Sequence, residues 1–304
     1  MAFSIHASTE ARVLKSPRLL GFLREGQLGL TLREIRKSKQ AVIGITIVSA
    51  LVLIALLAPL IAPWNPGLPV LGDQLESPSL AHPFGTDELG RDVFGRVVHG
   101  ARISLGVAAL AIAISVLFGA PFGFVAGYLE GPIGSVIMRL MDAVQAFPSV
   151  LLAIAIASTL GPGITNAMIA IGLVGVPGFA RLSRSEVLRI KHVEYVTAAR
   201  ACGAGNARIL CRHILPNGIA PLIVAISTGS AGAILTEAAL SFVGLGATPP
   251  QPSWGSMLQS GYPFMSIAPW LSVFPGLAIT LATFGFIFLG DGLRDAFDPK
   301  LRGR

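Results

Sequence analysis

The uncharged run AVIGITIVSALVLIALLAPLIAP, residues 41–63, limits this chain more than any other stretch in it. As a helix rising about 1.5 Å per residue it crosses a hydrocarbon core of about 30 Å. A backbone in lipid must satisfy its own hydrogen bonds, which leaves a helix as the form of such a segment. A signal peptide would be shorter and would begin near residue 1, whereas forty residues precede this run, so a retained span is expected. Residues 103–128, 133–160, 165–181, 220–245 and 270–289 are also apolar, and the fourth span is the weakest because Gly175, Pro177 and Gly178 interrupt it. The expected fold is an all-α polytopic membrane protein with six transmembrane helices. Composition agrees: 53% of the 304 residues are hydrophobic and 13% charged, against about 25% charged in soluble domains.

The few charges orient the spans. Residues 1–40 hold eight Lys/Arg against three acids, and residues 181–216 hold seven against two, so both are expected in the cytosol. Residues 64–101 hold five acids against two Arg, residues 246–269 hold no charge, and both are expected outside. The tail DGLRDAFDPKLRGR returns to the cytosol with four basic residues. The formal net charge of +7 comes from these inner segments, without zinc-finger spacing or an aromatic platform, so nucleic acid is not expected as a partner; the lipid bilayer is. Cys202 and Cys211 have no C-x-x-C spacing and do not form a disulfide framework.

Gly119, Gly123 and Gly127 repeat every four residues in the second span, a small-residue face on which a second helix can lie close. Pro121, Pro148, Pro177 and Pro275 fall in or beside spans and can kink them. Three ionisable residues within spans stand out. Arg139 and Asp142 have the i,i+3 spacing of a local ion pair, with a partner contact or a pathway-lining role as the alternatives. Glu237, in ILTEAALSF, must face the bundle interior, a water-lined pathway or a second subunit, because a lone carboxylate in lipid is costly.

Between the fourth and fifth spans stands EYVTAARACGAGNARILCRHILPNG, residues 194–218. Tyr195, Ala198, Ala199 and Cys202 fall at i, i+3, i+4 and i+7, which makes one nearly smooth helical face. Lys191, Glu194 and Arg200 lie on other sides. Gly203 either ends the helix in a left-handed residue or bends it; the pattern resumes at Ala204, and Pro216 marks the next span. A short helix, a turn and a second short helix are expected to project from the membrane. The smooth face suits a protein docking surface, and the Arg residues equally suit a helix resting on headgroups.

Catalytic signatures are missing from the sequence. No G-x-x-x-x-G-K-[ST] occurs and none of the five lysines follows a Gly, so the chain has no P-loop. His6, His82, His99, His192 and His213 are not spaced with acids or cysteines as a metal site requires, and no cofactor is expected on this chain. An enzyme is not expected, and uphill transport would need another polypeptide or an ion gradient. A secondary transporter would show inverted repeats, and a channel a repeated polar filter.

The segment Glu194, Ala198, Ala199, Gly203, Leu215 and Pro216 resembles the cytosolic coupling motif of bacterial ABC-transporter permeases, with His213 where the general pattern has Ile and HILPN as the peptide branch has it. HPFGTDELGRDVFGRVVHGARISLGV (residues 82–107), LSFVGLGATPPQPSWGSML (240–258) and GDGLRDAFDPKLR (290–302) are similar to the C-type permease subunit of the dipeptide/oligopeptide/nickel ABC importers, over about residues 33–304. The resemblance implies a type I ABC importer permease fold with a cytosolic coupling helix in a bacterial inner membrane, both termini cytosolic. It implies a second homologous permease, two cytosolic ATP-binding subunits that use the ATP, and an extracytoplasmic solute-binding protein as partners. By the resemblance, Glu194, Tyr195, Ala198, Ala199, Arg200, Gly203, His213, Leu215 and Pro216 form the ATPase-coupling element, and the outer segments 82–96 and 248–261 lie toward the binding protein or the partner permease. The implied cargo is dipeptides or oligopeptides, with nickel, an opine or glutathione as alternatives. The expected organisation is a basic arm at 1–40, the first span at 41–63, an outer loop at 64–101, a five-helix core at 102–290 containing the coupling segment 182–215, and a tail at 291–304.

Overall fold

Long apolar runs become helices that lean on one another through small residues, and the breaks between helices fall where the backbone demands them. The computed structural model describes residues 35–63, 65–69 and 73–297; most of the basic arm and the end of the tail lie outside the described residues. Among those described, helices are the only extended elements, joined by one isolated β-bridge between Thr86 and Asp92.

Helix α1 (Lys39–Ile61) is capped by Ser38, whose side chain accepts from the Ala41 amide. It lies along α10 (Trp270–Phe297) and α2 (Val93–Leu129). The second span therefore begins well before residue 103. Its N-cap is Asp92, whose carboxylate accepts from Gly95 N–H at 2.7 Å. The loop before it folds around Asp87, which accepts from the Leu89 and Arg91 amides at 2.9 Å each and from Arg91 Nε at 2.6 Å. Arg96 Nε stands 3.5 Å from the same carboxylate, so two guanidiniums face one buried acid with Glu88 beside them.

Helix α2 packs most extensively on α5 (Ile164–Ile190). The four-residue glycine repeat is the reason: Gly119 faces the Val176 carbonyl, Gly123 the Ala180 carbonyl and Gly127 the Val187 side chain. The expected interruption at Gly175, Pro177 and Gly178 does not occur. Helix α5 is continuous through them, with Pro177 buried inside it, because its inner face is held along α2. It also runs to Ile190, nine residues past the expected span.

The third expected span, 133–160, is corrected to two helices, α3 (Gly131–Gln145) and α4 (Ser149–Leu160), bent by 88°. The residue before a proline is driven away from helical torsions. Here Phe147 precedes Pro148, which has φ −56° and ψ 127°, so α3 ends and α4 starts on a new axis. Among the described residues five helices are long and apolar enough to cross a membrane, or six if the bent pair counts as one span.

After the short α6 (Glu194–Ala201) comes α7 (Asn206–Ile209), a π turn at Leu210–Ile214 and α8 (Leu215–Phe242). Residues Asn206–Phe242 form one helix long enough to span. The second short helix expected to project is thus the start of the helix that forms the fifth span, and Pro216 does not separate them: the helix passes through the π turn at Leu210–Ile214 and runs on past the proline. On the other side of the bundle α9 (Trp254–Gly261) is capped by a reciprocal Ser253–Ser256 box.

Candidate functional site

Helix α6 has two faces made by different residues. Its seat is apolar: Val196 is fully buried, together with Ile209 and Ile214 from the helix that follows. Its outer side exposes Glu194, Tyr195, Ala198, Arg200 and Cys202, with Ala199 half-buried. The small-residue face read from the sequence is therefore turned outward, with the seat supplied by a valine between its members.

Gly203 resolves into a left-handed residue, with φ +83°. Gly203 N–H donates to the Arg200 carbonyl and Ala204 N–H to the Ala199 carbonyl, each at 3.0 Å. These are the 5→2 and 6→1 bonds that close a Schellman end, and they set where the chain leaves α6. His213 lies in the π turn. Its carbonyl accepts from Asn217 Nδ2 at 2.6 Å and from Tyr195 Oη at 3.4 Å, and its ring centroid lies 6.4 Å from that of Tyr195. Tyr195 and His213, eighteen residues apart, thus tie α6 to the base of the fifth span. Leu215 and Pro216 are exposed one turn further on.

Four residues missed by sequence reasoning fasten this element to α2. Tyr128 Oη donates to Asn206 Oδ1 at 2.7 Å. Lys191 Nζ, buried at the end of α5, donates to a Glu130 carboxylate oxygen and, at 3.4 Å, to the Gly127 carbonyl. The hydrogen bond and charge of Lys191 hold the Glu130 carboxyl below the ordinary carboxylate range, so it stays ionised near neutral pH. The C-terminal end of α2 is therefore bonded to the chain on both sides of α6. The available signal was the rarity of lysine: Lys191 is one of five in the chain and sits where a span should end.

The remaining sequence candidates fall elsewhere. Arg139 and Asp142 do not form their local pair; Asp142 accepts from Arg181 Nη2 of α5 at 2.7 Å, with both side chains exposed. Packing of α3 on α5 offers a forked partner that sequence spacing cannot reveal, although an exposed pair of this kind contributes only about 0.2–1 kcal/mol. Glu237 is buried between helices, with Oε1 accepting from Ser241 Oγ at 2.7 Å. It does not line the open cleft of about 430 Å³ among α2, α4, α5 and α8, whose walls include Ser115, Ser149, Gly178, Thr228, Gly232 and Thr236 and no ionisable side chain. Among the described residues no group of His, Cys, Asp or Glu could hold a metal ion.

A bundle of apolar helices thus surrounds an uncharged cleft and carries a separately seated polar helix at one end, the architecture of a polytopic membrane protein. The chain belongs to the family of binding-protein-dependent transport system inner membrane components, whose model matches residues 119–303; the N-terminal TM domain of oligopeptide transport permease C matches residues 26–79. It is 46% identical over 270 residues to the dipeptide transport system permease protein DppC of Alkalihalophilus pseudofirmus, covering 89% of each chain. It is 43% identical to the di/tripeptide transport system permease protein DppC of Pseudomonas aeruginosa, covering 87% of this chain and 89% of that one. The glutathione transport system permease protein GsiD of Pectobacterium atrosepticum is 45% identical over 75% of each. An inward-facing structure of the MetNI methionine ABC transporter shares the fold, with a TM-score of 0.58 at 17% identity, covering 67% of this chain and 98% of that one. The chain is a multi-pass inner-membrane permease subunit of an ABC importer, with the type I permease fold.

Proposed function

We propose that this permease and a second, homologous one enclose the pathway of an importer of dipeptides or oligopeptides, that two cytosolic ATP-binding subunits drive it, and that an extracytoplasmic binding protein delivers the cargo. The observation that carries the coupling role is α6, seated by Val196 and ended by Gly203 so that its smooth face is left open. In this reading Glu194, Tyr195, Ala198, Ala199 and Arg200 meet the ATP-binding subunit, with Arg200 placed for charge-assisted contacts. Gly203, His213, Leu215 and Pro216 carry its movement into the fifth span. Identity to dipeptide and di/tripeptide permeases supports the cargo. Glutathione, itself a tripeptide, is the second reading, favoured by the 45% identical relative. With the complete transporter in vesicles, ATP-dependent uptake of labelled di- and tripeptides delivered by the binding protein is expected. A binding protein that takes a nickel ion or opine and passes it through the same complex, with peptides excluded, would overturn the cargo.

In the same reading residues 181–216 and both termini lie in the cytosol, a placement supported by the charge bias of the loops. Ser185 is exposed near the end of α5. Cys202 and Cys211 are exposed too and would take up label themselves. In a variant with both replaced by serine, Ser185→Cys is expected to react with an impermeant thiol reagent only after the cells are opened. Labelling in intact cells would reverse the orientation.

A further inference from the structure

Four polar side chains lie buried at a junction of α2, α8 and the segment leading into α9. Ser104, Ser241 and Ser253 are fully buried and Glu237 is 1% exposed. Glu237 Oε1 accepts from Ser241 Oγ at 2.7 Å, while Ser241 Oγ accepts in turn from Ser253 Oγ and from Ala247 N–H, each at 3.3 Å. Ser104 Oγ accepts from Trp254 N–H at 3.2 Å, and Trp254 Nε1 donates to the Val97 carbonyl at 3.0 Å. Glycine brings the backbones together here: a Cβ at Gly246 would strike Ser241, and one at Gly255 would strike Ala238. Yet Glu237 Oε2 is buried with no hydrogen-bond partner among the described residues.

Such a junction is not built for greatest closed-state stability. Apolar side chains of similar volume commonly hold helices together as well or better than a buried charged or polar group with an unused acceptor. What the polar junction supplies is a second state of comparable free energy. If α9 lifts away, water reaches Oε2 and the hydroxyls and offsets the hydrogen bonds lost. Contacts of this kind in a low-dielectric interior are made together or not at all, which suits an element with two arrangements. We infer that Glu237 is the positioning residue of a latch: in one state its carboxyl, through Ser241 and Ser253, holds α9 across the outer ends of α2 and α8; in the other it is hydrated and the outer mouth is wider. This rests on the importer reading and on the orientation that puts residues 246–269 outside.

The test uses the assembled transporter, scoring ATP hydrolysis with and without loaded binding protein beside uptake. Glu237→Leu removes the hydration gained on opening and is expected to cut stimulated hydrolysis and uptake about tenfold or more, with assembly retained. Glu237→Gln, still polar, should restore most of both. Ser253→Ala loosens the closed state and should raise hydrolysis in the absence of binding protein several-fold, about the scale of one lost hydrogen bond. Ser256→Ala, which removes the reciprocal half of the capping box, the bond from Ser253 N–H, while sparing the junction, is the control for that half of the cap and should not do so. A Leu variant that couples normally, a Gln variant as defective as Leu, or equal effects of the two serine variants would overturn the latch. Should Glu237→Leu fail to assemble, the serine pair decides alone. Stimulated hydrolysis is read with whatever solute the binding protein carries, so a wrong cargo shows as wild type failing on peptides, whereas a wrong latch leaves wild type working and the variants in one of the three overturning patterns.

Discussion

Replacing Gly203 with valine is expected to leave the permease inserted and assembled while severing ATP hydrolysis from uptake. At φ +83° a residue with a Cβ is strained, by about 1–2 kcal/mol, and a β-branched one more. Space is not the issue, because a Cβ there would meet nothing within 4 Å. The strain falls on one turn outside the apolar bundle, so helix packing survives it. The loss falls on the Schellman end, where Gly203 and Ala204 bond back to Arg200 and Ala199. Once those bonds go, the direction in which the chain leaves α6 is no longer set, and motion of the short helix is not passed to the span. Gly203→Asn, which tolerates left-handed torsions, is expected to retain most uptake. Full uptake at the normal ratio of ATP hydrolysed by the valine variant would show that the turn carries no coupling.

Gly123→Ala is expected to do the opposite kind of damage and deplete the assembled protein itself. A Cβ at this position collides with the Ala180 carbonyl oxygen and with Ser183 Cβ. Neither is the loose end of a flexible side chain, so α2 and α5 must move apart. Overpacking of this sort costs about 1–3 kcal/mol, and in lipid the close approach of helices is itself a principal source of association. Gly106, on the same helix, has open space around it and serves as the control. The yield of folded, detergent-stable permease should fall for Gly123→Ala and stay level for Gly106→Ala; equal yields would remove the α2–α5 seam from its place in the fold.

Much of this was legible because lipid makes simple demands. Uncharged runs had to be helices, and the glycines at 119, 123 and 127 had to face a neighbour, though only the structure names it as α5. The smooth face of α6 could be read from four residues within one segment, as could the break at Gly203. What escaped was of longer range. Arg139 and Asp142 satisfied a local rule, but Asp142 meets Arg181, thirty-nine positions away. Gly175, Pro177 and Gly178 carried a breaking signal that packing against α2 overrode. The 88° bend had its cue in Pro148, yet an apolar stretch of the right total length concealed it. Glu237 stood out as a charge in a span, but Ser104 and Ser253, buried with it, are ordinary serines until the chain folds. The clamp of Tyr128 and Glu130 on Asn206 and Lys191 likewise joins residues more than sixty positions apart.

The separation of seat from face in α6 has a consequence for how such a chain can change over time. Val196, Ile209 and Ile214 fasten the helix to its own bundle, with Tyr195 bonded to the His213 carbonyl, while Glu194, Ala198 and Arg200 look away from it. A substitution among the outward residues alters what the helix fits without disturbing how it is held. If α6 meets the ATP-binding subunit as proposed, recognition of the motor and integrity of the membrane domain are written in different residues, so one permease lineage can be re-addressed to a new engine by a handful of surface changes, with no redesign of the bundle that carries it.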